Sequence, residues 1–381
     1  MYDLFIIGGG INGAGIARDA SGRNLKVILV DKGYVGSATS SWSTKLIHGG
    51  LRYLENYDFK LVRESLKERE VILNIASNIV EPIPFIIPYN STYRSFWFIR
   101  FGLKLYDILG GKTTIPKSST ISISKKYPNI LKSNFYKGFQ YFDLQVDDKK
   151  LTELNIESAK KNSAVVLEKT NIKNINRLKN HWEIVLDNNQ ELEAKVVINA
   201  TGPWINEVNN NLLKIKSSKK IRLVKGSHII LNKIYDQKIA FTFQNNDKRI
   251  VFAIPYKDKF TLVGTTEIDV EKPDNPKITE NEIDYLLKCI NKYFVKNINK
   301  KMIVSSYSGV RPLIENYKAN VSTITRDYIF DIDYSEENAC LVNIYGGKLT
   351  TYRKLSEKVV NSLKIHFPNL KNQWTKDSIL N

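Results

Sequence analysis

The hydrophobic pattern divides the chain into recognisable elements from its first residues. Leu4-Phe5-Ile6-Ile7 is an unbroken apolar run bounded by polar residues and glycines, which predicts a strand buried on both faces. Residues 11–21 predict a helix, with Ala14, Gly15 and Ala17 small enough for close packing. Lys26-Val27-Ile28-Leu29-Val30 predicts a second buried strand, ended by Asp31. Between residues 57 and 77, Phe59, Val62, Leu66, Ile72 and Ile75 recur near helical spacing with charged residues between them. Asp147-Asp148 caps a predicted helix reaching about residue 161. A three-stranded meander is predicted across residues 164–192, turning around Asp187-Asn188-Asn189, and a separate apolar strand follows at Val196-Val197-Ile198-Asn199-Ala200. Residues 221–231, 249–254 and 260–263 have the patterning of an antiparallel sheet, with a helix over 280–294 beside it. Leu341-Val342-Asn343-Ile344 predicts a late strand, followed by a Gly346-Gly347 turn and a helix start.

The turn after the first strand changes this from pattern to chemistry. Gly8, Gly10 and Gly13 fit G-x-G-x-x-G between a predicted strand and a predicted helix. The first glycine permits the tight turn. The second lets backbone N–H groups approach a pyrophosphate, and the third lets helix pack on strand. The helix N-terminus adds partial positive charge toward phosphates. Asp31, at the end of the second strand, is spaced to accept hydrogen bonds from ribose hydroxyls. The alternative is a glycine turn that holds nothing. The ordered set of strand, glycines, helix, strand and acid points instead to a dinucleotide with an unphosphorylated ribose, FAD or NAD.

Composition narrows the classes. A chain of 381 residues predicts two or three domains. Basic residues exceed acidic ones by 18, but only 13 of the 57 are arginine, so most of the excess is surface lysine. That charge admits an anionic partner, whether phosphorylated substrate or acidic membrane. No basic-aromatic module supports nucleic acid. Two cysteines exclude a disulfide framework and any CxxC pair, and no metal-ligand spacing is present. No apolar run approaches a membrane span and no leader pattern opens the chain, which predicts a cytoplasmic protein, at most peripheral on the inner face of the cytoplasmic membrane.

The segment from Gly36 to Leu54 is long, small and rich in hydroxyls, suited to wrapping an extended cofactor; a flexible surface linker is the plainer reading. Together with later segments it carries a resemblance. "IIGGGINGAGIARDA", "ATSSWSTKLIHGGLRYLE", "ATGPW", "KGSHI", "VGTTE", "YSGVRPL", "TRDY" and "GGKLTTYRKL", in this order, resemble the FAD-dependent glycerol-3-phosphate dehydrogenases of the D-amino-acid-oxidase-like flavoprotein superfamily. The resemblance runs from Tyr2 to about Ile379. It implies an α/β fold in which a Rossmann-like FAD-binding domain (1–80, 140–212 and 309–381) interleaves with an antiparallel-sheet α+β substrate domain (81–139 and 213–308).

The resemblance also implies a reaction and its residues. sn-Glycerol 3-phosphate would lose a hydride from C2 to flavin N5 and become dihydroxyacetone phosphate, with electrons passed to membrane quinone. FAD would lie against Gly8, Gly10, Gly13, Asp31, Ser40, Ser41, Thr44, Lys45, Leu46, His48, Gly49, Ala200, Gly202, Gly346, Gly347, Lys348, Leu349 and Thr350. Arg52, Tyr53, Thr265, Arg311, Arg326 and Lys348 would bind substrate, arginine because its planar fork suits phosphate. His228, Arg311 and Lys348 would be catalytic, with His228 as the base and Arg311 on the developing oxyanion. Residues 94–106, bulky and basic, suit either an interfacial helix or a buried one. The resemblance leaves room for a homodimer. Members of that family continue past "WTKDSIL" into a helical C-terminal domain that is lacking here. A catalytically impaired FAD-binding remnant is therefore one alternative; an oxygen-using glycerol-3-phosphate oxidase and an amine or amino-acid oxidoreductase are others.

Overall fold

Tyr2–Ile7, the first apolar run, lies at the centre of a parallel sheet between Val27–Val30 and Glu191–Asn199. Val165–Leu167 extends the sheet on one side and Asn338–Gly346 on the other, where Tyr328–Ser335 pairs antiparallel at the edge. The structure is a computed structural model that describes residues 1–217, 219–314 and 327–381. Among the described residues this sheet has eight strands and a second sheet has ten. The central strands are apolar on both faces because both faces are covered. Helix Ile11–Gly22 packs on one face between helices Asp148–Lys161 and Tyr352–Ser362. On the other face Trp182 is fully buried among Phe5, Ile28 and Val197, and its indole donates to the Cys340 carbonyl at 3.0 Å. Each such fully buried aliphatic or aromatic side chain contributes roughly 1.5–3 kcal/mol. Both cysteines, Cys289 and Cys340, are buried free thiols.

The meander differs from its expected form. Val165–Leu167 pairs parallel with Val27–Val30 and belongs to the main sheet. The meander is Ile172–Arg177, Trp182–Leu186 and Glu191–Asn199, so the predicted third strand and the "ATGPW" strand are one. Residues 191–194 pair with the hairpin, whereas residues 196–199 pair with Asn338–Gly346. One strand changing partner along its length has no signature in the hydrophobic pattern.

The second sheet is built on Ile221–Asn232, which pairs antiparallel with Ile303–Ile314 and with Phe260–Gly264. Ile250–Tyr256, Ala240–Gln244, Val80–Pro88 and Lys137–Val146 continue it. Helix Glu280–Asn291, opened by a Thr279–Glu282 capping box, packs Leu286 and Ile290 against one face. Helices Phe59–Ile75 and Phe96–Gly110 cover the other. Lys137–Val146 and Ile303–Ile314 lie wholly in this sheet.

A buried ion cluster ties the last long helix to the helix at Phe59–Ile75. The Arg353 guanidinium forks onto both Glu68 oxygens at 2.6 and 2.7 Å and reaches Glu357 at 2.6 Å, all three side chains being nearly inaccessible. Beside it the C-terminal segment returns across the first helix. Trp374 donates to the Asp19 carbonyl, Arg18 donates to the Ser378 carbonyl at 2.7 Å, and fully buried Leu380 donates its N–H to Ile75. Removing one partner of a buried pair leaves the other charge unsatisfied. Arg353→Ala is expected to cost about 3–5 kcal/mol of unfolding free energy, measured by urea denaturation; a loss below about 1 kcal/mol would show that the cluster is not buried as described.

Candidate active site

The carboxyl ends of four parallel strands converge on one crevice, as expected for an open α/β sheet. Gly8 to Gly10 follow Tyr2–Ile7, Asp31 follows Val27–Val30, Ala200 follows Glu191–Asn199, and Gly347 follows Asn338–Gly346. The crevice is a cavity of about 560 Å³. Two glycines at its floor have no room for a side chain. A methyl on Gly13 would sit 1.9 Å from the Gly8 carbonyl oxygen, and one on Gly8, whose φ is +103°, would sit 2.8 Å from that of Ala200. The Asp31 carboxylate accepts from the Gly9 and Gly33 N–H groups at 2.6 and 2.7 Å, which fixes it at the cavity wall. Ser40 accepts from the Ile11 N–H at 2.9 Å and so serves the exposed end of the first helix.

A second cavity of about 800 Å³ adjoins the first, walled by the second sheet, by residues 50–59 and by helix Phe96–Gly110. Thr44, Leu46, His48, Tyr53 and Arg311 line both. The shared wall comes from the hydroxyl-rich segment: Leu46–Ile47 pairs with the second sheet, and Leu51–Asn56 is a 3-10 turn beginning at left-handed Gly50. Thr350 locks this wall from the other side, accepting from the His48 N–H and donating to its carbonyl. The Gly49 N–H donates to the Tyr106 hydroxyl at 2.8 Å, which donates in turn to Asp143, the partner of Arg69.

Arg52 and Arg311, distant in sequence, meet in the second cavity. Nη1 of each lies 3.9 and 4.0 Å from the same Glu267 oxygen, and Arg311 also donates to Thr265 Oγ1 at 3.1 Å. Gly226 makes room for the pair, since a methyl there would strike the Arg311 guanidinium at 2.6 Å. Lys348 lines the first cavity, its ammonium 4.0 Å from the centre of the Tyr53 ring and 3.5 Å from the Ser65 hydroxyl. Arg326 lies outside the described residues.

His228 is fully buried and lines neither cavity. Its ring stacks on Tyr307, and Nε2 lies 3.0 Å from the Thr44 hydroxyl, which faces both. Burial, with Arg311 and Lys45 nearby, holds its pKa well below the ordinary 6.5. The ring is thus neutral near pH 7.

Other expected cofactor residues divide by environment. Ala200, Gly202, Gly346, Gly347, Leu349 and Thr350 line the first cavity with Gly8, Gly10, Asp31 and Ser40. Ser41 turns its hydroxyl to the Gly36 carbonyl, and Lys45 pairs with buried Asp148 at 2.6 Å. Neither they nor Gly13 and Gly49 line a cavity; they shape the wall from behind. The helix expected directly after Gly346-Gly347 begins later, at Tyr352. Two residues went unread in the sequence. Asn12 donates to the Gly346 carbonyl at 3.2 Å while its buried Oδ1 has no hydrogen-bond partner among the described residues. Glu267 closes the quoted "VGTTE", and its position there was the available signal.

A dinucleotide crevice opening onto a charged chamber defines a two-domain redox protein of the flavoprotein type. The chain belongs to the FAD dependent oxidoreductase family, whose profile matches residues 3–350. It is 42% identical over 99% of its length to the aerobic glycerol-3-phosphate dehydrogenase of Escherichia coli, covering 76% of that protein. It is 43% identical, with the same coverage of each chain, to the D-erythritol 1-phosphate dehydrogenase of Brucella abortus. The solved glycerol-3-phosphate dehydrogenase of Bacillus halodurans, complexed with FAD, superposes with a TM-score of 0.76 at 27% identity, covering 99% of this chain and 67% of that one. The crevice fits that cofactor: Gly8, which has no room for a Cβ, Gly10, Asn12 with its orphaned buried oxygen, and Asp31 at the second strand end all line the cavity where a dinucleotide would lie.

Two outcomes follow from this geometry. Gly13→Ala forces helix and strand apart and is expected to yield protein without FAD, read as flavin absorbance per chain; a fully yellow variant would contradict the contact. Below pH 6.5 the unfolded chain takes up a proton at His228 that the folded chain refuses. Stability that is present above that value is lost as pH falls toward the depressed folded pKa. The melting temperature should therefore drop between about pH 7 and about pH 5, and drop less in His228→Asn.

Proposed function

We propose that this chain oxidises sn-glycerol 3-phosphate to dihydroxyacetone phosphate with FAD as its electron acceptor. The convergence of Arg52 and Arg311 beside the cofactor crevice carries the reading. A phosphate bears a charge of about −1.5 to −2, and burying it requires fixed cations and several donors. Arg52 and Lys348, with Arg326 beyond the described residues, supply the cations; Tyr53 and Thr265 supply neutral donors. The same arginine set argues against an amine oxidoreductase.

Bound FAD supplies the two-electron oxidant for C2. The chain manages the proton and the charge. Arg311 donates to the C2 oxygen as it gains negative charge. The hydroxyl proton passes to Thr44 Oγ1 as that hydroxyl gives its own to Nε2 of His228, which is neutral and ready to accept. The chamber's size and the 43% identity to an erythritol phosphate dehydrogenase favour a second reading, the four-carbon polyol phosphate, on the same machinery.

Electrons then leave for membrane quinone. Helix Phe96–Gly110 supports a surface-bound enzyme: Trp97 and Phe101 are 77% and 68% exposed, with Arg100 and Lys104 on the same helix, while Leu103 and Tyr106 anchor it. Among the described residues no helix is long and apolar enough to cross a membrane.

Adding sn-glycerol 3-phosphate to the FAD-loaded chain without oxygen should bleach the flavin. A flavin that stays oxidised with both this substrate and D-erythritol 1-phosphate would overturn the proposal. His228→Asn and Thr44→Val should each slow bleaching by about 100- to 10,000-fold. Equal rates in wild type and Thr44→Val would remove the relay.

A further inference from the structure

Trp204 ends the quoted "ATGPW", and nothing in the reaction proposed above uses it. It lines the cofactor crevice and closes the short turn Gly202–Trp204, just after the strand Glu191–Asn199. Lys32 lines the same crevice from another strand end, directly after Asp31. Its ammonium stands 4.5 Å from the centre of the Trp204 ring, a cation–π contact. The edge of that ring is held as well, since the indole N–H donates to Asp274 at 2.9 Å. Asp274 lies in the segment joining Ile268–Asp269 to helix Glu280–Asn291, so this tie comes from the second domain.

The Lys32–Trp204 contact joins two strand ends of one crevice, at the end that suits a purine. Asp31 is the group spaced for ribose hydroxyls, and its backbone carbonyl accepts from the Thr170 N–H at 3.0 Å. Ile172, two residues on, lines the crevice together with Val208 and Leu212, and all three are only partly buried. Trp204, Val208 and Leu212 are spaced by four along one helical stretch, which sets them on one side of it. A flat aromatic base is matched by apolar walls and by a ring to stack on. With the pyrophosphate at the glycine turn and the ribose at Asp31, a dinucleotide brings its adenine to this end.

We propose that Trp204 and Lys32 form a clasp that retains the adenosine end of FAD, with Asp274 as a positioning residue for the indole. Opening the contact is then a step in cofactor release. A side chain of the second domain thereby bears on how long the first domain keeps its flavin. The clasp concerns retention of FAD alone, so it stands or falls separately from the substrate reading.

The test uses the full-length, FAD-loaded chain. Loaded protein is diluted, and release is followed as the rise in flavin fluorescence. The visible flavin spectrum before dilution reports the isoalloxazine end, and melting in excess FAD checks folding. Lys32 is exposed and Trp204 half-buried, so neither substitution opens the core. Trp204→Leu should release FAD at least about tenfold faster than wild type, and Lys32→Ala about three- to fivefold faster, each with an unchanged flavin spectrum. Trp204→Phe, which keeps a ring, should lie between Trp204→Leu and wild type. The double variant should release no faster than Trp204→Leu, because the two side chains act as one contact. Asp274→Ala should speed release about threefold and have no further effect in the Trp204→Leu background. Release from Trp204→Leu within about twofold of wild type, or from Lys32→Ala at the wild-type rate, would overturn the proposal. So would faster release with a shifted flavin spectrum, which marks a loosened crevice and not a clasp lost at one end.

Discussion

Backbone lies on backbone where the first helix meets the first strand, and most of the molecule depends on that contact. Gly13 rests on the carbonyl of Gly8, and Gly8 rests on that of Ala200, with no space for a single methyl at either position. This closeness seats the helix N-terminus directly over the ends of the parallel strands. The crevice gains its depth there, and its partial positive charge faces inward. The helices at Asp148–Lys161 and Tyr352–Ser362 then close on the small residues of the same helix. The Arg353 cluster and the returning C-terminal segment hold that arrangement from outside.

The second dependence is on a shared wall. Residues 44–53 belong to neither domain alone, since Leu46–Ile47 pairs with the second sheet while His48 is tied to Thr350 of the first domain. A wall common to cofactor crevice and chamber brings reacting groups of both within reach without a hinge. It also accounts for the residues expected at the cofactor that do not line the crevice. Ser41, Lys45 and Gly49 spend their hydrogen bonds on Gly36, Asp148 and Tyr106, and act on the site by fixing the chain that carries Thr44 and His48.

Legibility in the sequence followed contact range. The Gly8–Gly13 turn and Asp31 are local, complete within some thirty residues, and the structure places them at the ends of the first two strands. The helix capped by Asp147 is local in the same way. The strand that changes partner at Glu191–Asn199 was hidden, because sheet membership is settled by distant strands. Glu267 was hidden for the same reason. Its neighbours Arg52 and Arg311 are 259 positions apart and are brought to it by the fold. His228 was visible as a candidate, but that it would sit behind Thr44 could not be read from a strand pattern.

The two cysteines have a bearing on durability. Burial pushes both thiols up to about 12. At neutral pH both are then held as thiols and not as the thiolate that peroxide and alkylating agents attack. Flavin chemistry in air generates peroxide close to the protein. This chain meets that hazard with no reactive sulfhydryl among its cysteines, so its working life under oxidising conditions is set by other side chains, and one cysteine introduced on its surface would be the sole target for a thiol-directed label.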